Sequence, residues 1–394
     1  METFIETVAF GGAGVGRVQG MVVFVPFTVT GDEVELEIRE VRKKFALGRV
    51  RKILNPSGFR IAPACRYFTQ CGGCQLQHMT YEHQLEIKEK HVHEIFERLG
   101  KFSSPPVRGI IPSPRRFHYR GKADYHIRGQ GKGTMETGFM HASENSVLDI
   151  ERCELMEESI NRSYRAFREV LLQCRRKVTN ERQTIWSAPE GEGDPDWDNY
   201  ETPSWVMRTV KDRHLLVPYG GFFQINNSLV EALVDQVIGL CALTGVETVL
   251  DGYCGAGLFS LFLASHARSI SGVEINGDAV HCAGVNLRDA GFSRAVFFQG
   301  DLGAIMKERF LQRGMTADVV VLDPPRSGCR REVLDAMTGI KAEKIVYISC
   351  NPSTQARDIR YLAERGFALS CLQPLDMFPQ TAHIEVIGLL EKKR

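Results

Sequence analysis

The 394-residue chain lacks any apolar run near the roughly 18 residues that a bilayer-spanning helix requires, which excludes an integral helical membrane protein. Its first residues, METFIETVAF, carry two glutamates and no secretory leader pattern. Net charge is almost absent too. The 49 Lys and Arg against 48 Asp and Glu leave +1, which excludes a uniformly basic nucleic-acid binder. Nothing in the composition, 43% hydrophobic and 25% charged, points to broad disorder, and the length predicts two or three domains with sizeable cores. A cytoplasmic location is the expectation, with no membrane contact and no obligate protein partner. Reducing conditions there disfavour structural disulfides, so the eleven cysteines are expected to be thiols, metal ligands or catalytic groups.

The mean charge hides local bias. Between Lys101 and Arg128 stand seven cations (Lys101, Arg108, Arg115, Arg116, Arg120, Lys122, Arg128) against the single acid Asp124. Phe102, Phe117, His118, Tyr119, Tyr125 and His126 are interleaved with them, the composition of a surface that pairs phosphates and stacks bases, or of a solvated basic face. An acidic stretch, 189–201, reads as an exposed loop.

The first 55 residues read as short strands separated by glycine turns, the texture of a small oligonucleotide-binding type of barrel. GGAGVGR is expected to be a turn and not a phosphate loop, because MVVFVPF, another strand, follows it and no helix does. The stretch GGAGVGRVQGMVVFVPFTVTGDEVELEI resembles the TRAM domain, an RNA-binding barrel. Residues 80–100 predict a helix with Thr80 as N-cap and Gly100 as stop, and the region beyond them reads as α+β. From NNSLVEALVDQVIGLCALTG onward, strands and helices alternate, which predicts a parallel sheet covered on both faces.

Cys65, Cys71 and Cys74 form C-x5-C-x2-C with two glycines inside it, and Cys153 is a natural fourth thiol. Zinc and a 4Fe-4S cluster both accept four thiolates, so ligand type alone leaves the choice open. The spacing is neither the paired C-x2-C of zinc knuckles nor the tighter triad of radical enzymes.

VETVLDGYCGAGLFSLFLA is a strand, an acid (Asp251), a glycine turn (Gly255, Gly257) and an apolar helix, the start of a Rossmann-like pocket. Its G-x-x-G-x-G spacing disfavours a dinucleotide. SISGVEIN supplies a second strand ending in Glu274, an acid able to accept both ribose hydroxyls, and VVVLDPPRSG a later strand ending in Asp323. EKIVYI is a strand with Cys350 just past its carboxyl end, the sheet edge where ligands bind. Cys350 is thus a candidate nucleophile as well as a candidate core thiol. Glu385 is an isolated acid between Ile384 and Val386, either solvated at an edge or poised in a site.

Together the cysteine stretch CRYFTQCGGCQLQHMTYEHQLEIK, the SCNP around Cys350 and the HIE around Glu385 resemble the RNA uracil-5-methyltransferase family, the enzymes that form 5-methyluridine in rRNA or tRNA. That resemblance implies a multidomain fold: a TRAM-like barrel (1–56), a central α+β iron-sulfur domain (57–222) and a Rossmann-like class I methyltransferase domain (223–394). It implies a 4Fe-4S cluster on Cys65, Cys71, Cys74 and Cys153. It implies S-adenosyl-L-methionine on Gln224, Tyr253, Glu274 and Asp323, with Asp301 near the adenine. Leu258 stands where relatives often carry Asn. Cys350 would be the nucleophile and Glu385 the general base.

The chemistry agrees with those residue types. Uracil C5 is a poor nucleophile, and a thiolate added to C6 turns C5 into an enolate carbon. A base must then take the C5 proton so that the thiol can leave. Arg326 and His383 are candidates to stabilise the enolate, and Phe222 and Phe223 to stack on a flipped or single-stranded base. The rival readings are a cytosine-C5 methylase, a non-catalytic RNA-binding relative and a small-molecule methyltransferase.

Overall fold

The computed structural model describes residues 1–394 apart from 130–134, 174–179, 189–194, 198–200, 341 and 394, so most of the acidic stretch 189–201 lies outside the described residues. The chain forms two compact units that are interleaved along the sequence. The first is Met1–His91, Ser113–Glu201 and Phe378–His383; the second is Val92–Pro112, Thr202–Met377 and Ile384–Arg394.

In the first unit, β1 (Glu2–Phe4), β2 (Thr7–Val8), β3 (Ala13–Val18), β4 (Met21–Pro26), β5 (Glu33–Val41) and β6 (Phe45–Asn55) form one sheet in the order β1-β5-β6-β4-β3-β2. Alternate residues Val23, Val25, Val34 and Leu36 are buried together, each contributing about 1.5–3 kcal/mol of apolar burial. The expected glycine turn is shorter than its sequence suggests. Only Gly11 and Gly12 hold positive φ, and β3 already begins at Ala13. Gly14 is glycine for closeness, since a Cβ there would lie 1.9 Å from the Thr28 hydroxyl.

Helix α1 (Tyr81–Arg98) matches the expected helical stretch. Strands β7 (Lys122–Gly129), β8 (Met135–Met140) and β9 (Val147–Asp149), helix α2 (Glu158–Gln173) and strand β10 (Glu181–Trp186) follow, the strands forming an antiparallel sheet in the order β10-β7-β8-β9. Ala123, Tyr125 and Ile127 alternate inward from β7 and share a core with Ile160, Tyr164 and Phe167 of α2. The Tyr125 and Tyr164 rings stack with centroids 3.7 Å apart. This packing corrects the reading of 101–128 as one basic, aromatic surface. Tyr119 and Tyr125 are fully buried, Lys122 lies over the Trp186 ring, and Lys101 and Arg108 belong to the other unit. Period-2 alternation, not base stacking, accounts for Tyr125.

The long middle segment of the second unit opens with the hairpin β11 (Trp205–Val210) and β12 (Arg213–Pro218), which the sequence reading grouped with the central region. Asn286 ties it down, its amide donating to the Leu216 carbonyl (2.9 Å) and accepting from the Leu216 N–H (2.7 Å). Then come α3 (Val230–Cys241), β13 (Thr248–Gly252), α4 (Leu258–Leu263), β14 (Ser269–Glu274), α5 (Gly277–Asp289), β15 (Ala295–Gln299), α6 (Leu302–Ile305), β16 (Val319–Leu322), α7 (Arg331–Gly339), β17 (Lys344–Ser349), α8 (Pro352–Ala363), β18 (Phe367–Leu375) and β19 (Glu385–Lys392). The sheet order is β15-β14-β13-β16-β17-β19-β18. All neighbours are parallel except β19, which is inserted antiparallel between β17 and β18. The strands are β-branched and buried on both faces, as Val319, Val320, Val321 and Leu322 illustrate, which is what helices on both sides demand.

Candidate active site

Because β13, β14, β16 and β17 run parallel, their carboxyl ends lie along one edge of the sheet and deliver Tyr253, Glu274, Asp323 and Cys350 there. Strand β19 runs the other way, so its first residue, Glu385, arrives at that same edge. The antiparallel register pairs Ser349 with Val386, the residues that flank Cys350 and Glu385, and the Glu385 charge acts on the Cys350 thiol. The sheet thus brings together the two residues that the sequence offered as nucleophile and base.

Their surroundings are acidic and partly dry. Burial pushes the Cys350 thiol up to about 11, the negative charges of Glu385 and Asp323 add to the rise, and Arg326, hydrogen-bonded to the thiol, opposes it. Burial likewise holds the Glu385 carboxyl well above the usual carboxylate range, reinforced by Asp323 and countered by Arg326. Asp323 rises to about 7 through burial and the nearby Asp251, against a hydrogen bond that Gln224 donates through Nε2 to Oδ2 at 3.2 Å. Arg326, which the sequence offered for stabilising the enolate, is therefore the cation of the group.

Two of the residues that the sequence offered for the cofactor, Tyr253 and Glu274, lie at the ends of β13 and β14. Gly255 donates its N–H to Glu274 Oε2 (3.1 Å) and Asn276 its own to Oε1 (2.9 Å), so the glycine turn and the acid fix one another. Gly257 sits at φ +84°, and a Cβ there would press on Ala283 at 3.1 Å. Tyr253 is held at φ +65°, with its hydroxyl against the Cys329 thiol. Asp251 is fully buried, accepts from the Ser260 N–H and hydroxyl through Oδ2 and leaves Oδ1 unpartnered; burial lifts it to about 7. Leu258 packs into the core as the first residue of α4 and offers no polar contact. Asp301 caps α6 through the Ala304 N–H and pairs with Arg330. Of the two candidate stacking rings, Phe223 is core and Phe222 is 70% exposed. His383 stands edge-on to Phe378, within the first unit.

Cys65, Cys71, Cys74 and Cys153 all line one cavity of about 70 Å³ in the first unit, with Arg120, Gln77 and apolar side chains. Gln77 donates to the Cys74 sulfur (3.2 Å) and the Gly73 N–H to the Cys71 sulfur (3.4 Å), while Asn161 brackets the Cys153 backbone from both sides. Burial raises all four thiols. Among the described residues, no three His, Cys, Asp or Glu side chains form a group that could hold a metal ion.

The seven-stranded sheet, with a glycine turn after β13 and an acid ending β14, defines the fold of class I S-adenosylmethionine-dependent methyltransferases. Sequence comparison narrows the class. Residues 207–393 match the tRNA (Uracil-5-)-methyltransferase family and residues 2–50 the TRAM domain. An uncharacterized RNA methyltransferase of Halalkalibacterium halodurans is 32% identical across all of this chain and 97% of its own length. One from Clostridium tetani is 31% identical across 96% of this chain and 93% of its own. The crystal structure of Pyrococcus abyssi tRNA (uracil-54, C5)-methyltransferase with S-adenosyl-L-homocysteine superposes with a TM-score of 0.73 at 25% identity, covering 99% of this chain and 100% of that one. The chain belongs to the RNA uracil-5-methyltransferase family.

The sequence reading missed Asp358. It is fully buried and accepts from the Cys329 N–H and the Tyr347 hydroxyl. The available signal was its place one helical turn from the buried Gln355.

Proposed function

We propose that the protein forms 5-methyluridine in ribosomal or transfer RNA, using S-adenosyl-L-methionine and a covalent link between Cys350 and the uracil ring. The observation that carries this reading is the meeting of a thiol and a buried carboxyl at one sheet edge, Cys350 just after β17 and Glu385 opening the neighbouring β19, close enough for the charge of one to act on the other. Bound S-adenosyl-L-methionine supplies an electrophilic methyl group; Gln224, Tyr253, Glu274 and Asp323 would hold it, with Asp301 near the adenine. The Cys350 thiolate, stabilised by Arg326, adds to uracil C6 and shifts electron density onto C5 and O4, making C5 the nucleophile. Once C5 carries both its hydrogen and the methyl, Glu385 takes that proton, the C5–C6 double bond re-forms and the Cys350–C6 bond breaks. Burial suits Glu385 to the task, since a carboxylate of raised pKa is a stronger base than an exposed one.

The target base must leave its stack to meet a thiol and a carboxyl at once, and the exposed ring of Phe222 suits stacking on an extruded base. The TRAM sheet, with cations on the β5–β6 hairpin such as Lys43, Lys44, Arg49 and Arg51, suits the RNA backbone. The four cysteines fit a 4Fe-4S cluster better than a single zinc. An all-thiol donor set accepts either, but the cavity has room for several water-sized bodies, where one ion needs far less. The cluster's place in the first unit suits structure or RNA positioning, not the methyl transfer.

The test uses unmodified ribosomal and transfer RNA transcripts tritiated at uracil C5 or, separately, at cytosine C5. Tritium release from one uracil-labelled RNA, abolished by Cys350→Ala, supports the reading and identifies the substrate. Release from cytosine, or methyl incorporation without any release, overturns it.

A further inference from the structure

The loop that carries Arg326 has no regular secondary structure, yet its backbone is held at Arg326, Ser327 and Cys329 by one helix and its cap. The Arg326 carbonyl accepts from Asn351 Nδ2 (2.9 Å) and the Thr354 hydroxyl (3.1 Å), and the Ser327 carbonyl from Arg357 Nη2 (3.0 Å). The Cys329 N–H donates to Asp358 Oδ2 (2.8 Å), and Arg357 Nε braces Asp358 Oδ1 (2.7 Å). Between them, Gly328 lies at φ +76°, where a Cβ would sit 2.5 Å from the Asp358 carboxylate. That closeness and the positive φ leave room only for glycine there. All four holding side chains come from the first two turns of α8 and its cap, and the same helix begins two residues after Cys350.

We propose that the start of α8 is a clamp that sets the Arg326 guanidinium beside the Cys350 thiol, with Asn351, Thr354, Arg357 and Asp358 as positioning residues for nucleophile activation. The inference rests on the reading of Cys350 as nucleophile and adds how its thiolate is favoured. Three charged groups face this thiol: Glu385 from β19, Asp323 from the end of β16, and Arg326 from the clamped loop. Two acids oppose ionisation and one cation promotes it, so the position of that cation decides the outcome. The Arg326 side chain is exposed, and an exposed arginine gains rotamer entropy by swinging into solvent. Fixing its backbone at the carbonyl removes part of that freedom. Because nucleophile and loop share one helix end, a shift of α8 moves both together and preserves their contact.

The test is the pH dependence of Cys350 alkylation by iodoacetamide in the full-length protein, read by mass spectrometry on the peptide that carries it. In the double variant Asn351→Ser/Thr354→Val, serine keeps a helix cap and valine keeps the threonine shape while both donors to the Arg326 carbonyl are lost. Alkylation at pH 8 is expected to fall about three- to tenfold, up to one pKa unit, with the curves meeting at high pH. Turnover should fall in parallel with no change in KM for S-adenosyl-L-methionine, and Thr354→Ser should keep the parent profile. Arg326→Gln should lose at least as much, and the double variant should add nothing on that background. An unchanged alkylation profile, or losses that add to those of Arg326→Gln, would overturn the clamp. Should the double variant melt early, Thr354→Val alone answers the same question. Alkylation involves no methyl transfer, so the result stays readable even if the tritium assay refutes the proposed reaction.

Discussion

Replacing Glu385 by glutamine removes a proton acceptor and keeps the side chain's shape. Glu385 is 4% exposed, adjoins the Ser349–Val386 pair and acts by its charge on the Cys350 thiol, so the substitution changes the chemistry at a fixed point. A general base contributes about 10²–10⁴ in rate, and at about 1.4 kcal/mol per decade its loss raises the barrier by roughly 3–5 kcal/mol. The loss falls on one step. Addition of Cys350 and methylation of C5 need no base at Glu385, whereas elimination does, so the Cys350–C6 bond should persist. Labelled RNA incubated with Glu385→Gln and S-adenosyl-L-methionine should therefore migrate with the protein on a denaturing gel, approaching one RNA per chain, while tritium release drops by those two to four decades. Stability should not suffer, because the neutral amide avoids the desolvation cost of a buried carboxylate, and the melting temperature should match or exceed that of the parent. Release within tenfold of the parent, or no adduct in a folded variant, would refute the assignment of the base.

The two phenylalanines before Gln224 should separate cleanly: Phe222→Ala should weaken RNA binding by about 1–3 kcal/mol without altering the melting temperature, and Phe223→Ala should cost about 3–5 kcal/mol of stability, each read by filter binding and thermal melting. Burial lifts Asp251 from 3.8 to about 7, so the folded state holds a proton that the unfolded state has lost, and stability should decline as pH rises between those values. Urea melts across that window should show the decline, and Asp251→Asn should flatten it. Cys74→Ser should abolish iron and acid-labile sulfide in anaerobically purified protein, and retention of both would remove Cys74 from the proposed ligand set.

Much of the site was legible because its residues sit where strands stop. An acid or thiol just beyond a short apolar run, as at Glu274, Asp323 and Cys350, announces a ligand edge without any knowledge of the sheet order. Strand direction is not written in such a run, so the antiparallel entry of β19, which brings Glu385 to the edge, became visible only in three dimensions. The same limit explains Tyr125, which reads as a stacking ring beside cations until β7 shows which side of the pleat it takes. Asp358 was hidden for another reason. A carboxylate on an amphipathic helix is normally solvated, and nothing in ARDIRYL says that its partners are the Cys329 N–H, on a loop some thirty residues earlier, and the Tyr347 hydroxyl of β17. Leu258 is buried in the core, which gives the apolar residue its own use there.

The path of the chain bears on how this protein can be taken apart. Three segments make each unit, and the six residues Phe378–His383 leave the second unit between β18 and β19 to join the first. Neither unit is a contiguous fragment. Cutting after Glu201 would strip the first unit of Phe378–His383 and the second of Val92–Pro112. Exchanging the RNA-binding part for that of a relative therefore calls for matched changes at five junctions, the last of them a residue before Glu385. Simple fusion cannot exchange either unit as a whole, because every junction has to change together.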